Sequence, residues 1–200
     1  MLIKQKFPII LASGSQIRKL ILSNLGLEFT VIKPDFDEDA AKQSISNLGF
    51  EEQALFLAQN KALSVSVKYP DHLVIASDQI CQLGSKAISK SKDKISAIKQ
   101  LQELSGKTHY QNNAVCLYKA GKELISHTEK AVLKMRNLTK SEISAYVNAD
   151  SSWNCAGSYK FESLGKHLFS EVTGSADCIL GMAILPIINF LHQKQLIVIN

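Results

Sequence analysis

Short apolar runs alternate with amphipathic stretches along the 200 residues. "PIILAS" (8–13) is a continuous apolar run of strand length and reads as a buried strand, the first of the chain. From Ser15 onward Ile17, Leu20, Ile21 and Leu25 return at helical spacing, until Gly26 supplies a C-terminal stop. "EFTVI" (28–32) predicts a second strand, and the acidic "DFDED" (35–39) opens a long polar connection. A helix over 51–68 sets Leu55, Ala58, Ala62 and Val65 on one face, and "HLVIAS" (72–77) is a short strand that the pattern ends at Asp78. A helix over 93–104 follows, and then "HYQNNAVCLYK" and "ELISHTEKAVLKMRNL" flank "AGK" as a long hairpin. Thr139 and Glu142 form a capping box for a helix to about Val147. Residues 181–192 predict a closing helix packed through Ile184, Ile188 and Leu191. This alternation implies one mixed α/β domain over residues 1–200.

Composition narrows the picture. With 46% hydrophobic residues the chain can bury a full core, which argues against disorder. A net charge of +5 favours an anionic partner, a nucleotide or a nucleic acid, without choosing between them. No block of Lys and Arg is interleaved with aromatics and no helix-turn-helix or zinc motif is evident, so nucleic acid is disfavoured. Cys81, Cys116, Cys155 and Cys178 are scattered without a C-x-x-C pair, which implies four buried thiols in a reducing cytoplasm rather than a disulfide framework. Lys4 and Lys6 precede the apolar "FPIILA", but that run is short, contains Pro8 and leads straight into an amphipathic helix, unlike a secretory signal. Nothing approaches the ~20 apolar residues of a membrane span. The expectation is a cytoplasmic protein without a membrane partner.

A small-residue loop feeding a helix presents unpaired backbone N–H groups and the positive end of the helix dipole, which suits a phosphate. Ser13 and Ser15 can add hydroxyl donors there, and Arg18 a bidentate fork. Read as local structure instead, Ser15 is an N-cap and Arg18 a solvated charge. Asp78, at the predicted end of a central strand, lies where open α/β sheets place ligands, and it can orient a water or hold a divalent cation. Glu38, with Asp37 and Asp39, offers hard oxygen ligands or simply a solvated face. "SGKTH" (105–109) is not a P-loop, because Leu101 stands where that motif needs Gly. Gly106 instead ends the preceding helix, with Ser105 and His109 shaping the turn. A serine or cysteine hydrolase built on Ser77 or Cys155 has no supporting motif.

Taken in order, "LASGSQIRKLILSNLG", "DED", "LAQNKA" (57–62), "IASDQ" (75–79), a Lys at 90, "LSGKTH" and "CAGSYKFE" (155–162) resemble the Maf family of nucleotide pyrophosphatases from about residue 8 to 192. "SDQ", with "CAGS" and Glu162, resembles the branch acting on 7-methyl-GTP rather than the one acting on dTTP and UTP. The resemblance implies hydrolysis of a nucleoside triphosphate to the monophosphate and pyrophosphate with a divalent metal, Mg²⁺ or Mn²⁺. It places Ser13 and Arg18 on a phosphate-binding loop, and Lys61 and Lys90 on lysines facing the triphosphate. Asp78 takes the place of the general base, Glu38 of an acidic site residue, and Gln79 and Glu162 of positions tied to base choice. It also implies an elongated mixed sheet flanked by helices, with two lobes and a central cleft as in inosine-triphosphatase-like folds. The hairpin would lie in the second lobe, and a homodimer is compatible. The chain departs from the family pattern at Gln16, Ile17, Lys19, Ser163, "SKS" (89–91) and "GMA" (181–183), but Asp78 and Lys61 are intact, so activity is expected, with room for altered specificity or rate; Lys86 and Lys92 stand beside Lys90 as alternatives. The alternative from another class is a non-enzymatic protein that binds nucleic acid or a septum-associated partner.

Overall fold

Ile9, Ile10 and Leu11 are all buried, as expected of a strand covered on both faces. In the computed structural model, which describes residues 2–200, they form the second strand rather than the first. In chain order the elements are β1 (Ile3–Gln5), β2 (Ile9–Leu11), α1 (Gln16–Asn24), β3 (Phe29–Val31), α2 (Glu38–Ser44), α3 (Phe50–Ser66), β4 (Leu73–Leu83), β5 (Lys86–Ile88) and α4 (Lys94–Leu104). They continue as β6 (Thr108–Lys119), β7 (Lys122–Met135), α5 (Lys140–Asp150), two 3₁₀ turns at Ser152–Asn154 and Leu164–Leu168, β8 (Phe169–Thr173), α6 (Ala176–Leu180), α7 (Leu185–Gln193) and β9 (Ile197–Ile199). The chain is a mixed α/β protein whose mixed sheet is flanked by helices, and it divides into two compact units.

The first unit holds the residues up to Gln79, Asn113–Glu129 and Ala176–Asn200. Within it β2 runs parallel to both β3 and β4, with Ile9 opposite Phe29 and Leu73 and Leu11 opposite Val31 and Ile75. Parallel neighbours need crossover connections, which α1 and then α2 with α3 supply. Ile9, Leu11, Leu22, Ile75, Leu117 and Ile187 belong to one apolar core, each burial contributing about 1.5–3 kcal/mol. β1 and β9 pair antiparallel, Ile3 opposite Ile199, tying the two ends of the chain together.

The second unit holds Ile80–Asn112 and Lys130–Ser175. Here the end of β4 pairs antiparallel with β5, Cys81 opposite Ile88, and β7 pairs with β8, Val132 opposite Thr173. α4 packs against α5. Tyr159 meets Phe169 edge-on with ring centroids 4.9 Å apart. Gly165 has no room for a side chain, because a Cβ there would run into the Lys160 carbonyl.

Several expectations change. β4 does not stop at Asp78 but runs on to Leu83, since Cys81–Leu83 still has β5 to pair with, so Asp78 is a mid-strand residue. The polar 35–39 stretch leads into α2, capped by Asp37, whose carboxylate accepts from Ala40 N–H at 3.0 Å. The hairpin is shared between the units, Asn113–Glu129 belonging to the first. His109 does not shape the turn after α4. It is buried in β6, with Nε2 3.0 Å from the Tyr159 hydroxyl. Gly106 does follow α4, at φ +72°. Cys81, Cys116 and Cys178 are buried but Cys155 is only half-buried. The closing helix starts at Leu185, four residues later than the pattern suggests, because Gly181–Ile184 bonds elsewhere. Among the described residues no helix is long and apolar enough to cross a membrane.

Candidate functional site

The loop after β2 turns sharply into α1. Ala12 N–H donates to the Ile75 carbonyl at 2.8 Å, extending the β2–β4 pairing by one residue. The buried Ser13 hydroxyl accepts from Ser15 N–H at 3.1 Å. Ser15 occupies the N-cap position, yet its side chain makes no capping bond. One turn into α1, Arg18 is no solvated charge: Nε donates to the Gly181 carbonyl at 2.8 Å and Nη1 to the Ser77 carbonyl at 2.7 Å. Burial lowers its pKa, while the charges of Asp78 and Glu38 act the other way.

A chain of four alternating charges lies close by. The Lys61 ammonium, reaching out from α3, donates to Asp78 Oδ1 at 2.5 Å and lies 2.6 Å from Glu38 Oε2. The other Glu38 oxygen faces Lys42 at 2.5 Å, one turn further along α2. Partial burial would raise the Glu38 pKa, but the hydrogen bonds and charges of Lys42 and Lys61 outweigh it and hold the carboxyl at about 2. Asp78 and Lys61 are far less exposed than Glu38, with side-chain exposures of 9% and 12% against 37%.

Glu38 and Lys61 border one cavity of about 270 Å³, with Asp78 behind Lys61 rather than in the lining. Ser13, Gly14, Arg18, Glu38 and Lys61 line it, and the segment after β3 adds Lys33, Pro34 and Phe36. Those last three were not singled out in the sequence, where nothing but their place between a strand and an acidic run marks them. Asn113 was missed as well. Its buried amide donates to Ser77 Oγ at 3.1 Å and to the Asp78 carbonyl at 2.8 Å, and it accepts from Ala183 N–H at 2.8 Å. A Gln-Asn-Asn run directly before the apolar half of a strand is the signal that could have found it. Ser77 Oγ in turn donates to the carbonyls of Ala114 and Gly181. Gln79 commits both amide hydrogens to the carbonyls of Cys178 and Ile179, at 2.8 and 2.9 Å, and does not line the cavity.

Lys90 and Glu162 belong to the second unit, where both are exposed. Lys90 forms a β-bridge with Ala156, and the neighbouring Ser91 hydroxyl lies 2.7 Å from that of Ser158. Lys90 thus sits against the "CAGS" turn, whereas Lys86 faces Glu103 at 3.7 Å. Burial raises the Cys155 pKa, and the charge of Glu162 raises it further, while Lys160 and Lys90 act against both. The structure therefore gathers Ser13, Arg18, Glu38, Lys61 and Asp78 within the first unit, and Lys90 and Glu162 around one turn of the second.

Residues 8–194 match the family described as Maf-like protein. This chain belongs to the Maf family. A nucleoside triphosphate pyrophosphatase of Legionella pneumophila (strain Corby) is 39% identical to this Maf chain over 193 residues, 96% of each protein. Another, from Rhodopseudomonas palustris (strain BisB18), is 38% identical over 192 residues, 95% of each. A HAM1 protein from Coxiella burnetii aligns over 78% of this Maf chain and 88% of its own, with 16% identity and a TM-score of 0.44.

Proposed function

We propose that this chain hydrolyses 7-methyl-GTP to 7-methyl-GMP and pyrophosphate, with Mg²⁺ or Mn²⁺ as the metal. Pyrophosphatase action on a nucleoside triphosphate follows from the family and its relatives. One observation carries the catalytic part: Lys61 stands between the carboxylates of Glu38 and Asp78 at the wall of a cavity lined by the Ser13 loop and Arg18.

In the reaction a water oxygen forms a bond to the α-phosphorus, the bond to the α,β-bridging oxygen breaks, and pyrophosphate departs with that electron pair. Asp78 takes the water's proton, since Lys61 occupies only Oδ1 of its carboxylate. Lys61 and Arg18 offset charge on the phosphate oxygens as it develops, and the Ser13 loop orients the chain of phosphates. Arg18 presents its remaining nitrogen, Nη2, because Nε and Nη1 hold the Gly181 and Ser77 carbonyls.

The donor set suits a small hard cation. Two carboxylates already share one ammonium here, and a Mg²⁺ is ordinarily held by one or two carboxylates together with substrate phosphates. Glu38 and Asp78 would hold it. When bound, such an ion polarises phosphoryl oxygens and neutralises the leaving group. For the base, Glu162 supplies a carboxylate that can accept from the guanine N1–H and exocyclic amine, and N7 methylation gives the base a positive charge. Gln79 acts by holding the end of α6 next to Gly181. Lys90 completes the proposed set as a further cation for the phosphates. A nucleotide substrate and four free thiols fit the cytoplasm.

The test is a comparison of kcat/KM for 7-methyl-GTP, GTP, dTTP and UTP with each metal. Preference for 7-methyl-GTP is expected. A preference for dTTP or UTP would move the chain to the other branch.

A further inference from the structure

We propose that Lys33 is an additional triphosphate-binding residue of this chain. The inference rests on reading the first-unit cavity as the phosphate site. Three cations line that cavity, and they are not equivalent. Arg18 is tied through two of its nitrogens to the Gly181 and Ser77 carbonyls. Lys61 is held by Glu38 and Asp78 at 2.6 and 2.5 Å. Lys33, by contrast, makes no hydrogen bond or ion pair among the described residues, and it is exposed.

Its position is set by the fold. β3 ends at Val31, Ile32 N–H still donates to the Leu11 carbonyl at 3.1 Å, and Lys33 follows directly. The strand pairing thus fixes the backbone just before Lys33 next to the end of β2, where the Ser13 loop begins. Pro34 restricts Lys33 itself to extended backbone, which limits the range of directions its side chain can take.

The electrostatic consequence is specific. A bound triphosphate has to share Lys61 with two carboxylates that already take two of its three N–H donors, whereas Lys33 can meet a phosphate oxygen with no partner to give up. A lysine ammonium acts on phosphate as a point charge, and a hydrogen bond between charged groups in a partly exposed site contributes a recognisable share of binding. Lys33 therefore acts on uptake of the phosphates more than on the bond-breaking step.

The experiment titrates inorganic tripolyphosphate calorimetrically into the wild type, Lys33→Met and Lys33→Arg, and measures KM and kcat for the triphosphate the wild type cleaves best. Lys33 is exposed and outside the core, so an unchanged melting temperature is expected for both variants. Lys33→Met is expected to weaken tripolyphosphate binding roughly tenfold, with a similar rise in KM and little change in kcat. Lys33→Arg recovers most of the affinity, because the charge is kept. The proposal is overturned if Lys33→Met binds tripolyphosphate within about twofold of the wild type. It is overturned equally if the wild type takes up no tripolyphosphate. A wild type that binds tripolyphosphate with the expected dependence on Lys33 yet cleaves no nucleotide overturns the pyrophosphatase reading instead and leaves Lys33 as an anion-binding residue.

Discussion

Lys61 Nζ lies 2.5 Å from Asp78 Oδ1, joining the middle of α3 to the middle of β4. The same ammonium holds Glu38, so it keeps two carboxylates together that would otherwise repel. Breaking a largely buried pair from one side leaves an uncompensated charge. Lys61→Met should therefore lower stability by about 3 kcal/mol and abolish most turnover. Asp78→Asn introduced on top of it should cost less than it does alone, because the charge left over is then gone. Urea unfolding of the two single variants and the double variant measures this coupling.

Arg18 and Asn113 make a second prediction. Both reach the Gly181–Ala183 segment, Arg18 through the Gly181 carbonyl and Asn113 through Ala183 N–H. Arg18→Lys retains the charge but cannot place two nitrogens on the Gly181 and Ser77 carbonyls, and the expected loss is about 2 kcal/mol of stability with a raised KM. Asn113→Leu should be worse for stability than Arg18→Lys, since it strands buried partners on Ser77, Asp78 and Ala183. Equal stability of Asn113→Leu and the wild type would show that the amide network does not hold this segment.

The response to acid follows from His109. Burial lowers its pKa from 6.5 to about 4, so the folded protein keeps it neutral. Below pH 6.5 the unfolded chain binds the proton more readily, and stability fully present above that value is lost as pH falls towards 4. The loss should reach about 3 kcal/mol at the lower end. Glu38 acts in a different window: its depressed pKa contributes stability above about 4.5 that disappears as pH falls through about 2. Denaturant unfolding between pH 6.5 and 4.5 thus isolates His109 from Glu38, and His109→Gln should flatten that slope. An unchanged slope in the variant would assign the acid sensitivity to another group.

Glu162→Gln tests base choice separately from chemistry. Glu162 is exposed, so the fold should tolerate the change. The ratio of kcat/KM for 7-methyl-GTP over GTP should fall about tenfold, as the amide loses the charge that favours a cationic base. A ratio that stays put would remove Glu162 from base recognition.

Much of this site was legible in the sequence because its parts fall in short words on regular elements. "LASGSQIR" reads as strand, loop and helix, and the Ser13 loop and Arg18 follow from that order. The apolar spacing of residues 51–68 brought out the helix that carries Lys61. Asp78 was recognisable as a residue but not in its setting, because a polar Ser-Asp-Gln run interrupts the hydrophobic pattern while the backbone pairing continues to Leu83. β1, β5 and β9 have three residues each, too few for an alternation to show. α2 was hidden by an acidic stretch whose helical character depends on the Asp37 cap rather than on an apolar face. Lys33 and Lys42 could not be distinguished from solvated lysines by spacing alone, since what separates them is whether a carboxylate stands opposite.

Pyrophosphate release from 7-methyl-GTP, measured for the wild type and Asp78→Asn alongside binding of the same nucleotide, tests the catalytic centre most directly. The expected result is rapid release by the wild type and none measurable from Asp78→Asn, which still binds the nucleotide. Turnover by Asp78→Asn at the wild-type rate would contradict the role of Asp78 as the base paired with Lys61.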